Sequence, residues 1–425
     1  MKKKMLIYAH YYYPDVASTG QILQDQAEGM SDEYDVTVIC TVPSYTGMVD
    51  ERYKEWKIYK EDLNGVRIFR VPVSEFSKSK KISRIKNILI YLFNACKVTK
   101  MVGNQDYIFT ISQPPIIGGL LGVYGKKIIQ TVNGKSPKLI YCIQDFNPEQ
   151  IKATGYIKLK WLIRFAMYLD KWTCRNSDLI ITVGRDLVDT LKRRFRNEKT
   201  PCYAMINNWI DEKQIYPLSK DDFGVMNFKE KYGLVNKFVF MYSGNIGLYY
   251  DLEGLMEVIK NFRCAKTSTG KKVVFAFVGS GSILDKLIEY KNVNQLDNVV
   301  FIPYQSKENL IYSLNSADVH WCVNARGIKG VSCPSKFYGI IGVGKPVLGV
   351  LEKGSEVQLL IDDIGCGRVA EPGDYAMVSG HIQYFIEHAE SDELIEMGKR
   401  GYEYLIKKLT KDISISKYKK VIGDI

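Results

Sequence analysis

Short apolar runs, separated by helical patterns, recur along this chain and constrain its fold more than any other feature. Most of them are rich in Val, Ile, Leu and aromatic residues and show no polar alternation. In the first half they cover residues 5–9, 36–40, 66–71, 107–112, 139–143, 179–183 and 203–206. A strand that is apolar on both faces is typical of a parallel sheet covered by helices on each side. The first half therefore predicts a doubly wound α/β domain.

The same series restarts in the second half. There the apolar runs cover residues 238–242, 273–278, 299–302, 318–323, 346–351 and 367–370. The polar stretch 207–232 between the two series is predicted to be a linker. We expect a first domain over residues 1–212, a second over 213–410 and a C-terminal helix over 411–425 that packs back on the first. Two Rossmann-like domains that face one another would place a ligand cleft between the carboxyl ends of their sheets.

Positive charge is concentrated in the first half of the chain. Residues 1–200 contain 32 Lys and Arg against 20 Asp and Glu, whereas the remaining residues contain 27 of each kind. One-sided charge favours a large anionic partner, either nucleic acid or an anionic membrane surface.

Residues 78–93 combine this charge with apolar side chains. A basic run from Lys78 to Lys86 leads into the apolar run 88–93. Such a segment suits a helix that lies on an anionic membrane. It equally suits a helix that packs its apolar face on the sheet and leaves its lysines in water. The charge of the whole first half favours the first alternative, so we expect peripheral contact with the cytoplasmic face of a membrane.

Several classes of protein are not expected. No stretch approaches the roughly 20 apolar residues of a membrane-spanning helix, and the apolar stretch after Lys4 is too short for a signal peptide. The nine cysteines and four histidines show neither disulfide-framework nor metal-ligand spacing. We therefore expect a cytoplasmic protein without a metal or another cofactor.

The run 331–339 predicts an anion site. Pro334 suits the first turn of a helix, and the N–H groups of Ser335, Lys336 and Phe337 would then be free and carry partial positive charge. Together with the lysine side chain, such a helix start attracts an anion. A helix that merely begins with proline would show the same pattern.

Two glycine loops in the second half strengthen this interpretation. Each follows an apolar run and would let backbone N–H groups approach a phosphate. Their candidate donor-binding residues are Gly244, Asn245, Gly279, Ser280 and Gly281. Together with the helix start at Ser335 and Lys336, they favour a nucleoside-diphosphate pocket.

The first half offers two candidate positions. In the loop 11–20, Ser18 or Thr19 could cap a helix from Gln21, and Gly20 could let the backbone approach a ligand. The loop lacks the glycine pattern of a dinucleotide fingerprint and also fits an ordinary strand-to-helix connection. Asp145 follows the fifth apolar run, where it could orient a sugar or share a proton, or could cap the next helix.

These motifs together resemble the retaining glycosyltransferases of family four, which have the two-domain GT-B architecture. The similarity extends over nearly the whole chain. Within this family, the chain resembles most the bacterial enzymes that build colanic acid, capsule or O-antigen. The motifs are residues 12–14 with Gly20, 144–146, 208–211, 243–247, and 334–339 with 344–347.

The resemblance implies a nucleotide sugar held by the second domain and an acceptor held by the first. It implies that Gly20 and Lys336 approach the donor diphosphate, that backbone around Pro303 and Tyr304 holds the base, and that Asp145 touches the transferred sugar. Two positions that usually hold glutamates are Val331 and Gly339 here, so the resemblance leaves the ribose and sugar contacts open.

The implied activity is metal-independent transfer of a hexose, with retention, during bacterial surface polysaccharide synthesis. The donor would be UDP- or GDP-linked, the hexose a deoxy or N-acetylamino sugar, and the acceptor a polyprenyl-diphosphate-linked saccharide or an oligosaccharide. A nucleotide-sugar epimerase of the same architecture is one alternative. A non-enzymatic nucleic-acid-binding protein is another, although no groove-reading or stacking motif supports it.

Overall fold

The computed structural model describes residues 2–15, 17–77, 80–154 and 159–425. They form two compact units. The first comprises Met1–Val183, Leu187–Asn207 and Ser414–Ile425, and the second comprises Gly184–Asp186 and Asn208–Ile413. The units are defined by packing, and the domain boundaries expected after residues 212 and 410 stay a prediction.

The first unit is built on one eight-stranded sheet. Its strands are β1 (Lys3–Tyr8), β2 (Tyr34–Thr41), β3 (Tyr59–Leu63), β4 (Val66–Val71), β5 (Tyr107–Ile111), β6 (Lys138–Ile143), β7 (Leu179–Thr182) and β8 (Tyr203–Met205). The strand order is β3-β4-β2-β1-β5-β6-β7-β8, and every pair is parallel except β3 with β4. Its helices are α1 (Ser18–Met30), α2 (Lys81–Thr99), α3 (Ile117–Ile128), α4 (Asn147–Thr154), α5 (Lys160–Asn176) and, from Leu187 onward, α6 (Arg185–Arg194).

The second unit is built on a six-stranded, all-parallel sheet. Its strands are β9 (Lys237–Ser243), β10 (Lys272–Val278), β11 (Val299–Ile302), β12 (Val319–Val323), β13 (Val347–Val350) and β14 (Gly367–Ala370), in the order β11-β10-β9-β12-β13-β14. Its helices are α7 (Phe223–Lys231), α8 (Leu252–Lys260), α9 (Leu284–Val293), α10 (Lys307–Asn315), α11 (Lys336–Gly342), α12 (Glu356–Ile364), α13 (Tyr375–Glu387), α14 (Asp392–Lys408) and the start of α15 (Lys411–Gly423).

Both sheets are apolar on their two faces, as the uninterrupted runs predict. In β1, for example, Met5, Leu6 and Ile7 are all fully buried. Such strands need helices on both sides to exclude water, which is the physical reason for the doubly wound arrangement. The fold class predicted from the sequence, two doubly wound α/β domains, is confirmed.

Each sheet contains a point where the strand order reverses. In the first unit, the chain moves outward in opposite directions from β1 and β5, and in the second unit from β9 and β12. Ligands of open α/β sheets bind outside the carboxyl ends of the strands at such a point. The segments that follow these four strands are therefore the first places to look for a site.

Two local predictions are wrong. The predicted linker 207–232 contains α7, whose start is stabilised because the Asp222 carboxylate accepts hydrogen bonds from two backbone N–H groups. Helix α1 begins at Ser18 rather than Gln21, and its N-cap is Ala17, so Thr19 does not cap it.

The C-terminal segment returns to the first unit, as predicted. From Ser414 onward it belongs to that unit. Ile415 is buried there against Gly29 of α1, and the Tyr418 hydroxyl lies 3.6 Å from the Cys142 sulfur.

Candidate functional site

The glycine loops that follow β9 and β10 pack directly on one another. The N–H of Gly244 donates to Val278 O at 2.9 Å, and the N–H of Gly279 donates to Ile302 O at 2.9 Å. A Cβ on Gly279 would lie 2.0 Å from Gly244 O, and its φ of +139° also disfavours a side chain. A glycine is therefore required at position 279, because the backbones of the two loops come too close together there for a side chain.

This packing corrects part of the predicted phosphate contact. The N–H groups of Gly244 and Gly279 already have carbonyl acceptors, and that of Ile246 donates to Ser280 O at 2.9 Å. The sequence suggested that N–H groups of these loops bind a phosphate, but these three are already used in backbone hydrogen bonds. The loop residues stay candidates for donor contact by their position after β9 and β10.

Lys336 lies over the first of these loops. A Cβ on Gly244 would come within 2.5 Å of Lys336 Cε, so the absence of a side chain there makes room for the lysine. The Lys336 ammonium lies 3.7 Å from the centre of the Tyr250 ring and 5.0 Å from that of Tyr242. Both rings present electron-rich faces to a cation.

The surroundings keep Lys336 charged. Burial alone would lower the pKa of Lys336, but the neighbouring Tyr250 and Tyr242 outweigh burial and raise that pKa above its usual value. Within the described parts of the chain, no carboxylate lies within ion-pair distance of this ammonium. A half-buried cation that no carboxylate neutralises is suited to bind an anionic ligand.

Tyr242 also fixes the shape of the loop beneath Lys336. Its hydroxyl donates a hydrogen bond to Asn245 O at 2.5 Å. Asn245 itself is exposed. Sequence reasoning did not identify Tyr242 or Tyr250, because aromatic residues near strand ends are ordinarily part of the core.

The helix that carries Lys336 begins later than predicted. Helix α11 starts at Lys336 with Ser335 as N-cap, so the predicted entry at Pro334 is two residues too early. The Phe337 N–H donates to Pro334 O at 3.3 Å and is not free. Of the predicted anion contacts, this leaves the N–H groups of Ser335 and Lys336 and the Lys336 side chain, and their binding of an anion stays a prediction. Ser335 is exposed beside Lys336.

The predicted base-binding segment follows β11. Tyr304 is exposed, and the Pro303 carbonyl accepts a hydrogen bond from Gln305 Nε2 at 2.7 Å. The role of Pro303 and Tyr304 in holding a base stays a prediction.

A cavity of about 360 Å³ opens among the loops that follow β9, β10, β12 and β14. It is lined by Leu248, Asp251, Leu252, Glu253, Ile283, Ala325, Arg326, Pro372 and Gly373. The Arg326 guanidinium donates to Pro372 O at 2.8 Å. The cavity lies at the order reversal of this sheet, although none of the residues predicted from the sequence lines it.

In the first unit, Asp145 is held by a hydrogen-bonded turn. The Ser112 hydroxyl, which follows β5, accepts hydrogen bonds from Gln144 N at 3.1 Å and Asp145 N at 3.2 Å. Asn147 Nδ2 donates to Ser112 O at 2.6 Å. Asp145 is half-buried at the carboxyl edge of the sheet. The backbone beneath its carboxylate is thus fixed from the neighbouring strand.

A buried arginine supports the same segment. The Arg194 guanidinium lies 4.3 Å from the Phe146 ring centre and donates to both carboxylate oxygens of Glu149, at 2.7 and 2.5 Å. It also pairs with Asp170, which accepts the Tyr141 hydroxyl at 2.7 Å. In the sequence Arg194 belongs to a basic run that is typical of a solvated surface, so its role could not be predicted.

Gly20 and Thr19 lie in the first turn of α1, after β1. A Cβ on Gly20 would lie 3.1 Å from Tyr11 O, so the glycine lets the helix start pack on the preceding loop. Thr19 is half-buried. Their contact with a donor stays a prediction.

The second unit matches a known family. The family model described as "Glycosyl transferases group 1" matches residues 226–404. These residues are similar to the group-1 glycosyltransferase domain that the model describes. They include both glycine loops, the segment after β11 and helix α11, which the sequence had grouped together.

Two relatives are named as glycosyltransferases. WbjE of Pseudomonas aeruginosa is 26% identical over 238 residues, which cover 56% of this chain and 57% of that protein. The chain thus spans little more than half of WbjE. WcaI of Escherichia coli K12, named for colanic acid biosynthesis, is 23% identical over 389 residues, covering 89% of this chain and 91% of that protein.

A solved structure shares the fold over the full length. Anabaena HepE, described in complex with UDP and glucose, superposes with a TM-score of 0.70 at 13% identity, covering 100% of both chains. At that identity the likeness concerns the fold alone. The resemblance to group-1 glycosyltransferases with two parallel-sheet domains, stated above from sequence motifs, is confirmed.

Proposed function

We propose that this chain is a glycosyltransferase that moves a hexose from a UDP- or GDP-sugar to a polyprenyl-diphosphate-linked or oligosaccharide acceptor during synthesis of a bacterial surface polysaccharide. The names of WcaI and WbjE support the transferase class, and that of WcaI supports the polysaccharide context. The HepE complex makes UDP the first nucleotide to test. We still expect the transferred sugar to be a deoxy or N-acetylamino hexose.

The observation that carries this proposal is the charged Lys336 above the first glycine loop. Cleavage of a nucleotide sugar leaves negative charge on the departing diphosphate. A preorganised cation in a partly buried site lowers the energy of that charge without having to reorient. Lys336, held between Gly244 and the Tyr250 ring, meets this requirement.

We assign Asp145 the contact with the transferred sugar. Its backbone is fixed by Ser112, so its carboxylate could hold a sugar hydroxyl or a developing positive charge in a constant position. Retention of configuration and independence of metal belong to the same proposal. Among the described residues, no group of three or more His, Cys, Asp or Glu side chains is arranged to hold a metal.

Helix α2 supports peripheral membrane contact. Ile82, Ile85, Leu89 and Phe93 recur at helical spacing on its outer side, where Ile82 is 83% and Phe93 72% exposed. Its inner side, which includes Tyr91, packs in the core. Helix α2 thus packs one apolar side on the sheet and exposes a second apolar side to solvent. Lys78 and Ser79, with which the predicted segment begins, lie outside the described residues.

Within the described ranges, no helix is both long and apolar enough to cross a membrane. Contact through the surface of α2 is therefore the form of association we propose, at the cytoplasmic face, where a lipid-linked acceptor would be presented.

Ligand-induced stabilisation tests the proposed donor class. The purified protein is heated with a panel of nucleoside diphosphates, and a ligand at a hundredfold excess over its dissociation constant should stabilise the fold by about 2.7 kcal/mol. We expect UDP or GDP to raise the melting temperature and the corresponding sugar to be transferred to a lipid-linked acceptor. Formation of an epimer without acceptor would instead assign the chain to the epimerases.

A further inference from the structure

Helix α5 exposes a row of aromatic side chains. Trp161, Phe165 and Tyr168 are 65%, 52% and 59% exposed, and their spacing of four and three residues places them on one side of the helix. The fully buried residues of α5 are Asp170, Thr173 and Cys174, and Trp172 is partly buried against the core of the unit. A helix of a globular domain ordinarily turns its large apolar residues inward. Here the three aromatic side chains of this row face outward, whereas Ile163 and Met167 are half-buried.

The charges beside this aromatic row have one sign. Lys160 and Arg164 are exposed next to Trp161 and Phe165. Neither basic side chain has an ion-pair partner in the described part of the chain. The only acidic residue of α5 is Asp170, which is buried and paired with Arg194. The outer surface of the N-terminal half of α5 is thus aromatic and basic, whereas Lys171 and Arg175 of its C-terminal half are paired with Glu198.

The outer apolar side of α2 belongs to the same layer. Helix α3 packs against both α2 and α5, so the three helices lie side by side over one face of the sheet. Helices α2 and α3 contain no Asp or Glu. All three helices connect parallel strands and run opposite to them. Their N-terminal ends, with Ile82 and Trp161, therefore lie toward the strand ends where Asp145 is found.

We propose that α2 and α5 form one membrane-binding face and that the aromatic row of α5 inserts into the headgroup region of an anionic bilayer. Basic residues attract acidic headgroups, and amphipathic rings are suited to the boundary between headgroups and acyl chains. The charge of this layer favours a bilayer over a second copy of the chain, since two such faces would repel one another. The inference rests on the proposed membrane contact of α2 and adds a second element to it.

Vesicle sedimentation tests this directly. The full chain is mixed with vesicles of phosphatidylcholine alone or with phosphatidylglycerol added, and bound protein is measured. We expect binding only to the anionic vesicles, and about a tenfold or greater loss of affinity in the double variant Trp161→Ser, Phe165→Ser. Trp56→Ser is the matched control, because Trp56 is 63% exposed in the same unit and lies outside these helices.

Fluorescence quenching tests whether α5 contacts the bilayer. Vesicles that carry brominated acyl chains should quench the tryptophan emission of the wild type and of Trp56→Phe. They should quench Trp161→Phe much less, although that variant keeps an aromatic ring and should still bind. Thermal melting of each variant shows whether its fold is kept.

Three outcomes would overturn the proposal: unchanged binding of the double variant, equal quenching in Trp161→Phe, or a wild-type dimer that the double variant converts to monomer. The last would make the row a protein interface. Transfer to a water-soluble acceptor should be equal in wild type and double variant. If the wild type transferred no sugar to any acceptor, the proposed enzyme function would be rejected. The vesicle-binding result would still stand, because it does not depend on transfer.

Discussion

Replacing Lys336 with alanine removes the one side chain on which the proposed catalysis most depends. The ammonium is half-buried and 3.7 Å from the Tyr250 ring centre. A unit charge about 4 Å from a phosphate oxygen is worth about 4 kcal/mol at the effective dielectric of a partly exposed site. Loss of one preorganised donor costs about 3–4 kcal/mol. We therefore expect turnover to fall about 100- to 1,000-fold.

The assay follows release of nucleoside diphosphate at saturating donor and acceptor. Lys336→Arg should recover part of the rate, since it restores the charge with a different shape. Lys353→Ala, which removes an exposed lysine of the same unit, should leave the rate unchanged. Melting temperatures identify a variant that has merely lost its fold. Wild-type turnover in a folded Lys336→Ala protein would refute the role given to this residue.

Three further changes test the first unit's site and the packing of the second unit. Asp145→Ala should abolish transfer and leave donor binding nearly intact by calorimetry; an equal loss of both would assign Asp145 to donor binding. Gly279→Ala should destabilise the protein to urea by about 1–3 kcal/mol, because the new methyl group would lie 2.0 Å from Gly244 O, and an unchanged midpoint would disprove the contact. Burial lowers the pKa of His320 to about 4, below its usual value near 6.5, so the folded state binds fewer protons than the unfolded chain. Stability should therefore fall as pH drops from 6.5 toward 4, by at most about 3 kcal/mol, and His320→Gln should flatten this dependence in urea titrations.

The sequence predicted the strands well because both sheets are buried on two sides. Uninterrupted apolar runs leave little ambiguity there, and nearly every run coincides with a strand. Strand β3 was missed since its sequence, Tyr59 to Leu63, is mostly charged and lies antiparallel at the sheet edge. An edge strand faces water on one side and needs no apolar run.

The site was harder to predict because its parts come together only in the fold. The glycine runs predicted loops whose N–H groups could approach a phosphate, but in the fold the N–H groups of Gly244 and Gly279 donate to backbone carbonyls. Lys336 was identified from its motif, while its aromatic neighbours Tyr242 and Tyr250 could not be. The role of Arg194 could not be predicted either, because an arginine that forms buried ion pairs cannot be distinguished in sequence from one in a solvated basic run.

Calorimetric titration of UDP and GDP into the wild type and Lys336→Ala tests the central claim most directly. The claim is that the second unit holds a nucleoside diphosphate with its negative charge against the Lys336 ammonium. One of the two nucleotides should bind the wild type, and the alanine variant should bind it at least about tenfold more weakly. Equal affinity in both proteins, or no binding of either nucleotide at millimolar concentration, would contradict the claim.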